Sequence, residues 1–270
     1  MRTRARLLAA IVLAASAATC GPPPPLKLPS GPSTPLADTQ PVLRDAIGHC
    51  AGVHSITAEL GLSGRAGSTK LRGHLQAGFA QPAHVRLEAV APFGAPYFVV
   101  AGTGNDTTLW LPRDARVLRD TSAADIIEAL AGFSATPDDL AAWLEGCPAA
   151  AFDAATGQSF GADWAEIGGA QRAAWFRKTD RWRLVQTEHD GLSVEFADHA
   201  GVQPGRIRIR RAAAADRAAL DVGVSIGQVE TNVTLGDRAF TVDVPADATP
   251  ITLDELRRSG PLRDTSGGAR

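Results

Sequence analysis

The sequence predicts a mainly β protein with a few helices: an open, strongly curved antiparallel β half-barrel of about eleven strands, with helices covering an apolar cavity. Three observations lead there. Apolar and polar residues alternate with a period of two in segment after segment, which marks antiparallel strands with one dry and one wet face. Turn residues separate these segments at hairpin spacing. Short helical stretches with clear start and stop signals interrupt them. One sheet wrapped around those helices gives them a natural place; a sandwich does not.

Taken in order, the first elements are not part of the domain. Arg2, Arg4 and Arg6 form a basic start, and Leu7 to Ala18 is an apolar run too short to span a bilayer. It ends in Ala17-Ala18-Thr19-Cys20, which resembles the lipobox of bacterial lipoprotein signal peptides. On that reading Cys20 is the first mature residue and carries acyl chains; the alternative is an ordinary secretory signal cleaved nearby. Gly21 to Pro35 holds seven of the chain's eighteen prolines and reads as an extended tether. The expected organisation is a signal peptide over 1–19, a proline-rich tether over 20–38, a domain over 39–258 and a flexible tail over 259–270.

A first helix is expected from about Gln40 to Ala51, capped by Thr39 and stopped by Gly52, with Val42, Leu43, Ala46, Ile47 and Cys50 on its apolar stripe. Strands follow. Ile56, Ala58, Leu60 and Leu62 share one face, and Ser55, Thr57 and Glu59 the other. Leu71, Leu75, Ala77 and Phe79 oppose Arg72, His74 and Gln76; Val85, Leu87 and Ala89 oppose Arg86 and Glu88. The strand His84 to Ala91 turns through Pro92-Phe93-Gly94 into a second strand, Tyr97 to Gly102. Pro92 fixes one backbone angle and Gly94 tolerates a positive one, so Phe93 is the large side chain at a tight tip. Such tips normally carry small or polar residues. Phe93 either folds back onto the core or is an apolar finger offered to a membrane or a lipid.

Further strands are expected at Thr107–Leu111 and Ala115–Arg119. Ser122 then caps a helix over Ala123 to Ala131, and Thr136-Pro137-Asp138-Asp139 opens another that Gly146 and Pro148 close. Ile126, Ile127, Leu130, Leu140, Trp143 and Leu144 are their apolar faces. The pattern then gives strands at Ser159–Ile167, Arg172–Lys178, Arg181–Glu188, Leu192–Ala197, Arg206–Arg211, Leu220–Val229 and Ala239–Val244, and a short helix at Leu253 to Arg258.

Reactive constellations are missing from this pattern. The net charge of −2 is spread along the chain and leaves no nucleic-acid footprint. Gly157-Gln158-Ser159-Phe160-Gly161 matches G-x-S-x-G, but a nucleophile elbow needs a strand before the serine and a helix after it. Here a loop precedes and a strand follows. The histidines (49, 54, 74, 84, 189 and 199) lack metal-ligand spacing, and Arg206, Arg208 and Arg210 read as the solvated face of one strand. No enzyme activity, cofactor or metal is expected. A curved apolar sheet with apolar helices suits a greasy ligand, since exposing an acyl chain costs about 0.8 kcal/mol per methylene.

Leu71-Arg72-Gly73, His84-Val85-Arg86-Leu87, Pro92-Phe93-Gly94 and the closing run Leu140-Ala141-Ala142-Trp143-Leu144-Glu145-Gly146 together resemble the LolB family of outer-membrane lipoprotein receptors. The ordered set covers about residues 55–148. The resemblance implies an open antiparallel barrel with an apolar cavity. It also implies uptake of acylated lipoproteins from a LolA-like soluble carrier and their insertion into the outer membrane. Phe93 stands where the family carries a protruding leucine. Gly21 after the acylated cysteine is not an aspartate, which fits an outer-membrane location on the periplasmic face.

The expected sites are therefore Cys20 for lipidation, Pro92, Phe93 and Gly94 as a membrane-inserting turn, and a cavity and lid lined by Val85, Leu87, Ile126, Ile127, Leu130, Leu140, Trp143 and Leu144. The expected partners are acyl chains of lipoproteins or lipids and the membrane reached through the anchor. The alternative is an accessory lipoprotein that docks a protein partner or binds free lipid without transport. Cys50 and Cys147, left over after Cys20, are either buried free thiols or a disulfide tying the lid.

Overall fold

A computed structural model describes residues 25–149, 153–169, 172–189, 191–215 and 217–259, and among these fifteen strands form one sheet. Cys20, the apolar segment before it and the expected tail from residue 260 on lie outside the described residues. The elements are β1 (Thr34–Pro35), α1 (Gln40–Ile47), β2 (Ser55–Ala66), β3 (Thr69–Ala80), β4 (His84–Val90), β5 (Val99–Thr103), β6 (Asp106–Leu111), β7 (Arg116–Thr121), α2 (Ala123–Ala131) and α3 (Pro137–Leu144). They continue with β8 (Gly157–Phe160), β9 (Trp164–Gly169), β10 (Arg172–Lys178), β11 (Trp182–His189), β12 (Leu192–Ala197), β13 (Arg206–Arg211), β14 (Leu220–Thr231), β15 (Thr249–Pro250) and α4 (Leu253–Ser259).

Two meanders, β2 to β7 and β8 to β14, make up the sheet and join where β14 pairs antiparallel with β2. The two-residue strands β1 and β15 lie at opposite edges, so the curved sheet stays open. Every pairing is antiparallel except β15 on β7. The register puts like against like. Ile56 faces Phe79, Ala58 faces Ala77 and Leu60 faces Leu75, while Val85 and Leu87 of β4 pair with Phe79 and Ala77. All of these are buried. Glu59, Gln76 and Glu88 line up on the opposite face. Each such valine, leucine, isoleucine or phenylalanine side chain removed from water contributes roughly 1.5–3 kcal/mol.

The helices cover the apolar side. Ser122 Oγ accepts the Asp125 N–H at 3.0 Å to start α2, and Gly132 ends it with φ +80°. Thr136 and Asp139 form a reciprocal capping box on α3. Thr39, expected to cap α1, does not. Its hydroxyl donates to the Ala154 carbonyl, and Asp38 Oδ1 takes the Gln40 N–H at 2.9 Å. Helix α1 also stops early, at Ile47, before a 3₁₀ turn over Cys50–Gly52. Asp45 docks it on the sheet by accepting the Trp182 N–H at 2.7 Å.

Two expected strands differ from the structure. Ser159–Ile167 is two strands, because Gly161 at φ +66° turns the chain between β8 and β9. Ala239–Val244 is not a strand. A 3₁₀ turn covers Asp237–Phe240, Phe240 packs its ring 4.9 Å from His84, and Arg86 donates to the Ala239 and Thr241 carbonyls. Those carbonyls are satisfied by a side chain instead of a ladder. The strand total exceeds the expected eleven partly because β1 and β15 add short pairings at the edges. No helix among the described residues is long and apolar enough to cross a membrane.

Candidate functional site

The β4–β5 hairpin forms the first candidate site. The Ala89 N–H donates to Phe98 O at 3.0 Å, and the Tyr97 N–H donates to Ala89 O at 2.9 Å, which closes the base. Phe98 points inward and is buried. Beyond it the chain swings out through Pro92, Phe93 and Gly94, the last at φ +77°. Phe93 is 90% exposed, which excludes its folding onto the core. Val90 at 40% and Tyr97 at 41% join it, and these three are the exposed large hydrophobics among the described residues. Arg113 braces the turn. Its Nε donates to Ala95 O at 3.3 Å, its Nη2 to Phe93 O at 3.4 Å, and its guanidinium lies 4.0 Å from the centre of the Tyr97 ring. The tip is thus apolar, with a phenol and a cation behind it.

The second candidate is the region under the helices. Val85, Leu87, Ile126, Ile127, Leu130, Trp143 and Leu144 are buried and Leu140 is half-buried. They belong to one continuous core with Phe98, Leu109 and Phe133. The reason is local: the apolar stripes of α2 and α3 face a sheet whose inner face is equally apolar. Trp143 also borders a small cavity of about 60 Å³ with Thr187, Leu192 and Val194, and its buried Nε1 has no hydrogen-bond partner.

At the rim, Cys50 and Cys147 form a disulfide, with their Cα atoms 6.0 Å apart. It links the turn after α1 to the segment after α3. His49 lies against it, with Nε2 3.0 Å from Glu145 O, 3.9 Å from the Cys50 sulfur and 3.8 Å from the Cys147 sulfur. The Glu145 carboxylate is buried beside Gln203 Nε2, 3.4 Å away, and burial pushes its pKa above the ordinary carboxylate range. A cavity of about 460 Å³ runs alongside, lined by both cysteines, Glu145, Ile56, Phe79 and Asp138 among others. The donor atoms of His49, Cys50 and Cys147 lie within 4.8 Å of one another, a metal-ligand set were the thiols free; joined as a disulfide they are not thiolate ligands. Sequence reasoning missed His49. Its adjacency to Cys50 was the one available signal, because Cys147 is 98 positions away.

The remaining motifs resolve simply. Ser159 sits within β8 and bonds Thr34, with no helix after it. Arg206, Arg208 and Arg210 pair with Asp198, Asp221 and Glu195, so their charges are compensated on the strand face.

No family model matches the sequence, and no curated protein matches it. Among solved structures the chain is similar to a LolA superfamily protein from Nitrosomonas europaea, at 11% identity and a TM-score of 0.43, over 77% of this chain and 99% of that one. It is also similar to a DUF1329 family protein from Desulfovibrio piger, at 11% identity and a TM-score of 0.41, over 75% of this chain and 95% of the other. A third structure, described as an outer membrane lipoprotein-sorting protein domain from Vibrio parahaemolyticus, aligns at 10% identity and a TM-score of 0.41, over 76% and 92% of the two chains.

Proposed function

We propose that this chain is an envelope lipoprotein, anchored through acylated Cys20, that accepts acyl chains beneath α2 and α3 and delivers them to a membrane touched by the Phe93 turn. The carrying observation is the clustering of Val90, Phe93 and Tyr97, the exposed large hydrophobics among the described residues, on one hairpin end. Scattered single apolar residues need no explanation, but a cluster at a protruding tip does. Acyl chains are the ligand class the interior suits, because a chain that displaces the helices meets mostly apolar side chains there. Each methylene sheltered from water is worth about 0.8 kcal/mol. In our reading the cargo is the acylated end of other lipoproteins, received from a LolA-like soluble carrier, and the destination is the outer membrane.

A second reading has its own support. The side chains of α2 and α3 pack with the sheet in one continuous core, which favours an accessory lipoprotein that uses the curved sheet to dock a protein partner. Mass spectrometry of molecules co-purified from native membranes separates the readings. Acylated peptides are expected for a lipoprotein carrier. Free phospholipid would mean a lipid carrier, and nothing bound would favour docking.

A further inference from the structure

The Phe93 turn shares its end of the sheet with other turns. Residues 112–115 join β6 to β7 there, and Arg113 bonds back to Phe93 O. The β2–β3 hairpin reaches the same end. His74 of β3 pairs with Val90, the last residue of β4, and β3 continues past that pair through Gly73 to Thr69. Leu71 and Leu75 go to the core, so Lys70, Arg72 and His74 take the outer face. Val90 is exposed on that same face, because Val85, Leu87 and Ala89 are buried on the other.

The charges here are not compensated. Arg65 of β2 stands directly opposite Lys70 of β3, and like charges in one cross-strand pair repel. Asp221 flanks Arg65 on β14, but Arg208 holds both of its oxygens at 2.7 Å. Among the described residues no ion pair or side-chain hydrogen bond engages Arg65, Lys70 or Arg72, and all three are exposed. The stretches 65–72, 91–98 and 112–115 together hold these three cations and Arg113, against one carboxylate, Asp114. A net charge of −2 spread along the chain hides this local excess. Elsewhere on the sheet the pattern is the reverse, with Arg206, Arg208 and Arg210 each meeting a carboxylate.

We propose that Arg65, Lys70 and Arg72 form a basic shelf that binds the anionic head groups of a phospholipid surface, so that this protein engages acidic membranes in preference to neutral ones. The proposal rests on the Phe93 turn being the membrane contact. The turn supplies apolar area and the shelf supplies attraction to phosphate, two contributions that add without sharing a residue. An acidic protein would use the charges alone. Val90 on the same face and Phe93 beyond it add the apolar contact that a lipid surface takes up.

The chain from residue 21 on keeps every described residue and lacks the acyl anchor, so its vesicle binding reports these surfaces alone. Co-sedimentation is measured with vesicles of phosphatidylcholine, and of phosphatidylcholine and phosphatidylglycerol in equal parts, at about 0.1 M and about 0.5 M sodium chloride. The wild type should prefer the mixed vesicles by about ten-fold or more at low salt, and added salt should remove most of that preference. Each cation near such a surface is worth roughly five-fold, so Lys70→Gln with Arg72→Gln should lose about twenty-fold on mixed vesicles and nothing on neutral ones. Lys70→Arg with Arg72→Lys keeps both charges and should bind as wild type does. The glutamine pair should melt no lower than wild type, because Lys70→Gln relieves the repulsion with Arg65. Equal wild-type binding to the two vesicle types would overturn the shelf and leave the turn in place. Unchanged binding by the glutamine pair would do the same and assign the cations to an acidic protein surface. A glutamine pair that melts clearly lower would assign them to the fold. Phe93→Ser tests the turn separately and should weaken binding to both vesicle types; binding equal to wild type would reject the turn as the contact, and the proposal with it.

Discussion

Phe93 keeps a full aromatic ring in water, and burying that ring in lipid is worth roughly 1.5–3 kcal/mol. That suits a transient touch and is small beside an acyl anchor. Phe93→Glu should abolish liposome flotation of the non-acylated domain and leave its melting temperature unchanged, because the side chain has no core contacts to lose. Phe93→Leu should float nearly as well as wild type. A mutant that melts lower while floating normally would rule out the finger. Glu145 gives a pH-dependent counterpart. Burial raises its folded pKa, so the stability it contributes is complete below its ordinary value of 4.5 and is lost as pH rises through the raised value. Glu145→Gln should therefore raise the denaturation midpoint at about pH 8 and leave it unchanged near about pH 4. A shift of equal size at both pH values would refute this account. In both cases the residue type alone underdetermined the environment. The proline and glycine around Phe93 announced a turn, but only the direction of the loop decided between core and water. Nothing local to Glu145 marks it as buried; Gln203, distant in sequence, lies beside its carboxylate.

Among the elements, the parts with a local signature were legible. Strands β2, β3 and β4 bury alternate residues as the sequence pattern requires, and α2 and α3 begin on the residues with capping chemistry. Ser122→Ala should cost about 1 kcal/mol, seen as a drop of roughly 2–4 °C in melting temperature. No drop would mean that packing alone holds the first turn of α2. Elements defined by distant partners were not legible. Thr34–Pro35 looked like tether, yet it pairs with Ser159 and Gln158. Thr249–Pro250 lies beside Arg116 and Val117 in parallel. Neither dipeptide has a periodicity to read, and proline is tolerated at such edges because no ladder N–H is needed from it. Ala239–Val244 has strand-like composition, but Arg86 supplies the hydrogen bonds a neighbouring strand would have given.

At the scale of the whole molecule, an open sheet needs its edges managed. Strand β15 and helix α4 cover one of them: Ile251 and Leu256 are buried, Thr249 N–H bonds Ala115 O at 2.8 Å, and Arg257 approaches Glu128 of α2 at 3.9 Å. Removing residues 246–270 should expose β7 and leave a chain that self-associates, measurable by light scattering after size exclusion. A truncated chain that stays monomeric would show that the edge is harmless. The sequence indicated the α4 helix but not its duty, since nothing local says that Leu256 meets α2. The seam between β14 and β2 has a consequence in time. It pairs Leu60 with Ile226, so the middle of the sheet is completed by residues from near opposite ends of the chain. A chain emerging from its N-terminus presents β2 long before β14 arrives. During that interval the future centre of the molecule is an unprotected strand edge, open to pairing with other chains. The seam is therefore the point at which nascent copies of this protein need a chaperone most.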